Sequence, residues 1–397
     1  MTNVNPHGMS NENRRGMKLP EPDPAALAAS SSLCQDIIAE IRASDGWIPF
    51  SRFMELALYR PGLGYYGGGS QKFGEGGDFI TAPEITPLFA QSLAVQAAEV
   101  MAGSTAKILE AGAGSGALAV ELLRELERRN SLPERYLILE LSGELRQRQA
   151  ETLKSRAPHL AAGVEWIDCL PQRFSGLVLG NEVLDAMPTA LVVWREDGEI
   201  LERGVAWDDG FVWQDRRAEG AVLTAAHALP VTAPYLSEIN LAATAWIAEW
   251  GRILERGAIL LIDYGFPARE YYVPERHRGT LMCHYRQHAH DDPFWLPGLN
   301  DVTAHVDFTA VAEAGFANGL AVLGYTSQAN FLFNCGITDI LGRLQSAGDR
   351  AYLTEARSVG KLISPTEMGE LFKVIALGRG IDENLIGFSR GDRVHAL

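Results

Sequence analysis

The chain has 397 residues, 47% of them hydrophobic, enough to bury a large core in one elaborated domain or two ordinary ones, which excludes a disordered protein. Its 35 basic and 50 acidic residues leave a net charge of −15, which argues against a broad nucleic-acid-binding surface and suits a cationic substrate. The four cysteines, Cys34, Cys169, Cys283 and Cys335, lie far apart without a CxxC pair, which argues against a zinc site or a disulfide framework and makes a reducing compartment the expectation.

Residues 1–32 lack the apolar centre of a signal peptide and carry acids that transit peptides avoid, so they read as a loose tail. No apolar run reaches the roughly 18–20 residues of a membrane span. From 33 to 102 the pattern predicts helices: Leu33 to Ile41, then SRFMELALY with Phe53, Leu56 and Ala57 on one face before Pro61-Gly62, then a helix opened by Thr86-Pro87. Between the last two, Gly62 to Glu84 holds eight glycines in twenty-three residues, too many for a core element. This segment is either a surface loop or a cover closing over a ligand, with Tyr65, Tyr66, Phe73 and Phe79 available to bury.

After Gly103 strands and helices alternate. KILEAGAGSG is a strand entering a glycine turn, ALAVELLRELERR a helix with Leu118, Leu122 and Leu126 in register, and YLILE, GVEWI and GLVLG three further strands. Later strands are AILLIDYG, AVLGY and FKVIALG. Such alternation predicts βαβ units and a doubly wound α/β fold over 103–397. Insertions are expected at about 190–245, built of short strands and turns, at 267–300, and at 330–363, which reads as helical. Ser364-Pro365-Thr366-Glu367 reads as a capping box that starts a short helix before the last strand.

The glycine turn carries the strongest chemical signal. Gly112, Gly114 and Ala117 fit the GxGxxA form of a dinucleotide site, whereas Gly112, Gly114 and Gly116 fit the spacing used for S-adenosylmethionine. Glu110 favours the second, because a carboxylate repels a pyrophosphate but attracts the amino group of a methionine moiety. Glu140, at the end of the second strand, can accept ribose hydroxyls with either cofactor. Asp168, after the third strand, stands where an adenine amino group would lie or is simply a turn residue.

GNEVLDAMP closes the fourth strand beside that turn, at the switch point where open α/β sheets hold ligands. Asn181 and Glu182 are placed to face a sulfonium methyl, and Glu182, with Asp185 behind it, could clamp a nitrogen nucleophile such as a guanidinium. His305, Asp307 and Glu84 are further candidates, although His305 could equally be a hydrogen-bonded helix-entry residue. No chemistry is assigned to Asp263 or Tyr264.

GDFITAPEI, ILEAGAGSG, GNEVLDAMP, LLIDYGF, DVTAHVDFTA and SPTEMGELFKVIALG, in this order, resemble the MidA family of S-adenosylmethionine-dependent methyltransferases. The likeness spans about residues 45 to 380. It implies a seven-stranded class I (Rossmann-like) core with α/β insertions, and S-adenosyl-L-methionine as cofactor with S-adenosyl-L-homocysteine as product. It also implies protein arginine methylation, with a respiratory complex I subunit as partner. Carried over, Gly112, Gly114 and Gly116 would contact the cofactor, Glu140 its ribose, and Gly77, Asp78, Phe79, Thr81 and Glu84 of the GDFITAPE block would close over it. The chain departs from the glutamate pair of unrelated arginine methyltransferases, since Asn181 stands first, followed by Glu182 and Asp185. The family's eukaryotic members act in mitochondria, and the tail points to a bacterial, cytoplasmic relative. The rival expectations are a small-molecule N- or O-methyltransferase, a non-enzymatic assembly factor and an NAD(P)-dependent oxidoreductase.

Overall fold

In a computed structural model the described residues are 19–68, 81–347, 349–382 and 384–397. The chain divides into two compact units, Met1–Phe79 with Ala186–Ala242 and Glu270–His305, and Ile80–Asp185 with Ala243–Arg269 and Val306–Leu397.

The second unit is built on one sheet. Its main path has the strands β1 (Lys107–Ala111), β2 (Arg135–Leu139), β3 (Val164–Ile167), β4 (Phe174–Asn181), β5 (Leu254–Phe266), β6 (Ala321–Ser327) and β7 (Phe372–Arg379), in the spatial order β6-β7-β5-β4-β1-β2-β3. All neighbours from β3 to β5 pair in parallel, β7 runs antiparallel to β5 and β6, and a two-residue strand, Val306–Asp307, adds to β5. The chain runs outward from β1 to β3 and then crosses to β4 on the other side of β1. The carboxyl ends of β1 and β4 therefore flank the switch point of the sheet. Pure apolar runs such as Leu177–Leu179 and Ala258–Ile262 form the central strands because both faces are buried there. Leu118, Leu122 and Leu126 pack into the same core from the helix Ala117–Arg128, as their spacing predicts.

Helices fill the stretch expected to be helical near 330–363: Gln328–Asn334, Ile337–Gly342 and Asp349–Ile363. The capping-box expectation fails. The Ser364 carbonyl accepts the N–H groups of Glu367 and Gly369, a tight turn results, and the helix begins only at Met368, with no side-chain cap. Thr86, by contrast, does cap Pro87–Gly103, accepting the Leu88 N–H.

The first unit holds a five-stranded sheet of Trp47–Pro49, Ala190–Trp194, Ile200–Trp207, Phe211–Arg217 and Tyr235–Ile239, and a three-stranded one of Met282–Tyr285, His288–His290 and Asp301–Thr303. The segment from 190 is thus β-rich as expected, except that Gly220–Ala228 is a helix. Pro24–Ala43 is one helix capped by Asp23, so helical structure reaches into the stretch read as tail. Tyr65 is fully buried in this unit's core and the Tyr66 hydroxyl donates to Asp301 Oδ1 at 2.9 Å. Two of the aromatics of the glycine-rich segment are therefore occupied by the unit's own packing.

Candidate active site

The glycine turn after β1 adopts the geometry its spacing demands. Gly112, Gly114 and Gly116 have φ of +65°, +52° and +81°, a left-handed region open to glycine at little cost. Gly116 also precedes the first residue of the helix Ala117–Arg128, whose amino end consequently opens on the turn. Added Cβ atoms would meet Val183 Cγ2 at 3.3 Å from Gly112 and Gln149 Cα at 3.2 Å from Gly116. The turn is thus packed from behind on both sides, and its backbone remains the surface offered to a ligand.

Glu110 is 2% exposed and its Oε2 accepts the Tyr136 hydroxyl at 2.6 Å. Burial pushes its carboxyl up to about 7, against the lowering effect of that hydrogen bond and with a smaller push from the negative charge of Glu140. Glu140 is buried at the end of β2, where Oε1 accepts the Ser142 N–H at 2.9 Å and Oε2 accepts Gln149 Nε2 at 3.0 Å. Burial raises its pKa, and these donors moderate the rise. Leu141, the next residue, is 74% exposed, an apolar side chain standing at the strand tip. Asp168 is exposed after β3.

The tip of β4 is registered against both neighbours: Gly180 lies opposite Ala111 of β1, and Asn181 opposite Ile262 of β5. Glu182 leaves the strand with φ +53°, a left-handed backbone that costs a non-glycine residue of order 1 kcal/mol. Asn181 Nδ2 donates to Glu182 Oε1 at 2.9 Å, the Ala82 N–H also bonds the Glu182 carboxyl, and Asn181 Oδ1 is buried without a partner among the described residues. Asp263, fully buried at the end of β5, gathers the loop: its Oδ2 accepts the N–H groups of Val183, Leu184 and Asp185 at 3.2, 2.9 and 3.3 Å.

The half-buried Glu182 and the buried Asp185 and Asp263 thus lie close enough in the second unit for their charges to repel. Burial pushes Glu182 up to about 8, with the charges of Asp185 and, less, Glu84 adding to the effect. Asp263 rises well above the usual carboxylate range because it is buried and because Asp185 and Glu182 repel its charge.

The structure brings Glu84, Glu110, Gly112, Gly114, Gly116, Glu140, Asp168, Asn181, Glu182 and Asp185 onto one unit, with Thr81 preceding the short helix Ala82–Ile85. His305 belongs to the other unit, where its N–H donates to Thr280 Oγ1 at 3.0 Å and its carbonyl accepts the Tyr271 hydroxyl at 3.1 Å. Asp307 caps the helix Phe308–Ala317, accepting the N–H groups of Thr309 and Ala310. Gly77, Asp78 and Phe79 lie outside the described residues.

Sequence reasoning passed over Asp263 and Gln149. A signal existed for the second: Leu145, Gln149 and Leu153 are the buried residues of the helix Gly143–Arg156, so a glutamine interrupts an otherwise apolar stripe at i, i+4, i+8.

Residues 90–326 match a family of S-adenosyl-L-methionine-dependent methyltransferases. The chain is 28% identical over 394 residues to a Danio rerio protein named "Protein arginine methyltransferase NDUFAF7, mitochondrial", covering 88% of each. It is 29% identical over 378 residues to the Homo sapiens protein of the same name, covering 84% of this chain and 80% of that one. A Burkholderia thailandensis structure with S-adenosyl-homocysteine bound is 52% identical, with 96% of this chain and 100% of that one aligned at a TM-score of 0.92. These matches decide between the two readings of the glycine turn in favour of the methyl donor over a dinucleotide. The chain belongs to the family of S-adenosyl-L-methionine-dependent methyltransferases.

Proposed function

We propose that the protein methylates a nitrogen of a protein side chain, an arginine guanidinium, from a class I (Rossmann-like) doubly wound core. The strand order, with β1 and β4 at the switch point and one antiparallel strand, supports that core. The residues fit the donor: three left-handed glycines make a tight turn that offers its backbone, and the Glu140 carboxylate at the end of β2, held by Ser142, Gln149 and the Leu141 N–H, keeps acceptor capacity for a ribose hydroxyl. Gly112, Gly114 and Gly116 would hold the methionine and sugar portions, Glu140 the ribose hydroxyls, Leu141 and Asp168 the adenine, with Thr81 and Glu84 beside Glu182. When bound, S-adenosylmethionine supplies an electrophilic methyl group.

The observation that carries the acceptor assignment is the cluster of the half-buried Glu182 with the buried Asp185 and Asp263. The charge of Asp185 pushes up both Glu182 and Asp263, and Glu182 pushes up Asp263, a repulsion that a cation relieves and a neutral hydroxyl does not. A guanidinium, protonated at every accessible pH, would donate to Glu182 and to Asn181 Oδ1, which has no partner among the described residues. That contact holds the attacking nitrogen in line and draws the positive charge toward the acids. Glu182, which favours its neutral form once buried, can then keep the proton that the nitrogen loses on methylation. The relatives named as protein arginine methyltransferases support the same acceptor class, and their mitochondrial naming together with the family resemblance suggests a respiratory-complex subunit as partner. A cytoplasmic location is proposed for this chain; no described helix is long and apolar enough to cross a membrane.

The test is methyl transfer from labelled S-adenosylmethionine into an extract of cells that lack the protein, followed by mass spectrometry of the labelled residue. Methylarginine is expected, and Glu182→Gln should lower incorporation about a hundredfold while the donor's Kd stays within about threefold. Label on a small molecule or on a hydroxyl would remove the arginine assignment. Rescue of a deletion strain by a variant that cannot bind the donor would favour a non-enzymatic assembly role.

A further inference from the structure

Gln149 is fully buried, and both hydrogens of its amide are committed. Nε2 donates to the Gly114 carbonyl at 3.1 Å and to Glu140 Oε2 at 3.0 Å, and Oε1 accepts the Trp166 indole N–H at 2.8 Å. One side chain thus joins the turn after β1, the acid after β2 and a residue of β3. An indole nitrogen can only donate, so Trp166 fixes which end of the amide faces it and turns both amide hydrogens toward Gly114 and Glu140. Packing alone does not call for an amide here, because Leu145 and Leu153, one turn away on either side, are apolar and buried.

We infer that Gln149 is a positioning residue of the cofactor site: it holds the Glu140 carboxylate and the Gly114 peptide in the arrangement that receives the donor's ribose. The inference rests on Glu140 being the ribose acceptor. With Ser142 on one oxygen, Gln149 on the other and the Leu141 N–H bonded to the same carboxylate, the group is held in one orientation and keeps acceptor capacity for a ribose hydroxyl. Preorganisation of this kind lowers the ordering cost of binding.

The experiment is calorimetric titration of the full chain with S-adenosyl-homocysteine and with its 2′,3′-dideoxy analogue. Gln149→Met keeps the volume and removes the donors; it should weaken S-adenosyl-homocysteine about tenfold to a hundredfold and shrink the preference over the dideoxy analogue. A role confined to folding would lower Tm and leave that preference intact. In the Glu140→Gln background, Gln149→Met should add less than about twofold, because its effect runs through Glu140. Wild-type affinity in Gln149→Met, or losses that multiply fully in the double variant, would overturn the inference. Wild-type affinity in Glu140→Gln would remove the ribose assignment and the inference together, whereas a weakened Glu140→Gln beside an unaffected Gln149→Met removes Gln149 alone. Should Gln149→Met not fold, Trp166→Phe takes away only the contact that orients the amide; a loss of about twofold to fivefold with the same non-additivity is expected, and no loss would overturn the inference.

Discussion

The two halves of the strand edge in the second unit are built on opposite principles. Along β1 to β3 the polar groups are satisfied: Glu140, Gln149, Trp166 and Gly114 bond one another, and the left-handed positions are glycines. Across the switch point, at the tip of β4, a glutamate occupies a left-handed position, an asparagine oxygen is buried without a partner among the described residues, and three carboxyl groups repel one another. The first half is held in place by its own hydrogen bonds. The second is held at a cost by Asp263, in the way expected of a site whose strain is relieved by what it binds.

This contrast can be broken at several points. The largest effect should come from Gly114→Val: a branched side chain at φ +52° forces the turn to rearrange, and calorimetry should show S-adenosyl-homocysteine affinity falling about a thousandfold or more. Retained affinity would mean that the turn is not the cofactor's cradle. Next comes Asp263→Ala, which strips the shared acceptor from three consecutive N–H groups; denaturant unfolding should show a loss of about 3–5 kcal/mol, and Asp263→Asn a smaller one. Equal stability of all three proteins would show that water replaces the carboxylate and that the loop is not clamped.

The pH dependence sharpens the comparison. Glu110 and Glu182 are pushed up in the folded state from an ordinary 4.5 to about 7 and about 8. The folded chain therefore holds their protons where the unfolded chain has released them. Their contribution to stability is fully present below pH 4.5 and is lost as pH rises, through about 7 for Glu110 and about 8 for Glu182. For Glu110 the loss is on the order of 3 kcal/mol. Unfolding measured between pH 5 and 9 should show this decline, and Glu110→Gln should flatten the part centred near pH 6; an unchanged slope would take Glu110 out of the account. The smallest effect is expected of Glu182→Gly. It removes the left-handed strain and should raise stability at pH 8 by about 1 kcal/mol or more while methyl transfer is lost, so a drop in Tm would contradict strain at the tip of β4.

Features written in short-range patterns were legible in the sequence. The glycine turn, the Leu118-Leu122-Leu126 stripe, the Thr86 cap and the strands of the main sheet follow from local periodicity and backbone preference, and all appear where those rules put them. Local rules failed where tertiary contacts outweighed them. Ser364 to Glu367 has the letters of a helix start, yet the chain turns there and the helix waits until Met368. Tyr65 and Tyr66 looked available to a ligand but are consumed by their own unit, and Asp307 is taken up as a helix cap.

Sequence alone determined the glycine turn and the acid that follows β2, because a tight left-handed turn admits few residues other than glycine and the acid at a strand tip is fixed by the period of the strand. Only the tertiary structure decided which acids meet. Asp263 lies about eighty residues from the loop it holds, and Gln149 reaches Glu140, Gly114 and Trp166 only because parallel strands align their carboxyl ends. Partners of that kind are set by sheet order and burial, which no local pattern of side chains encodes.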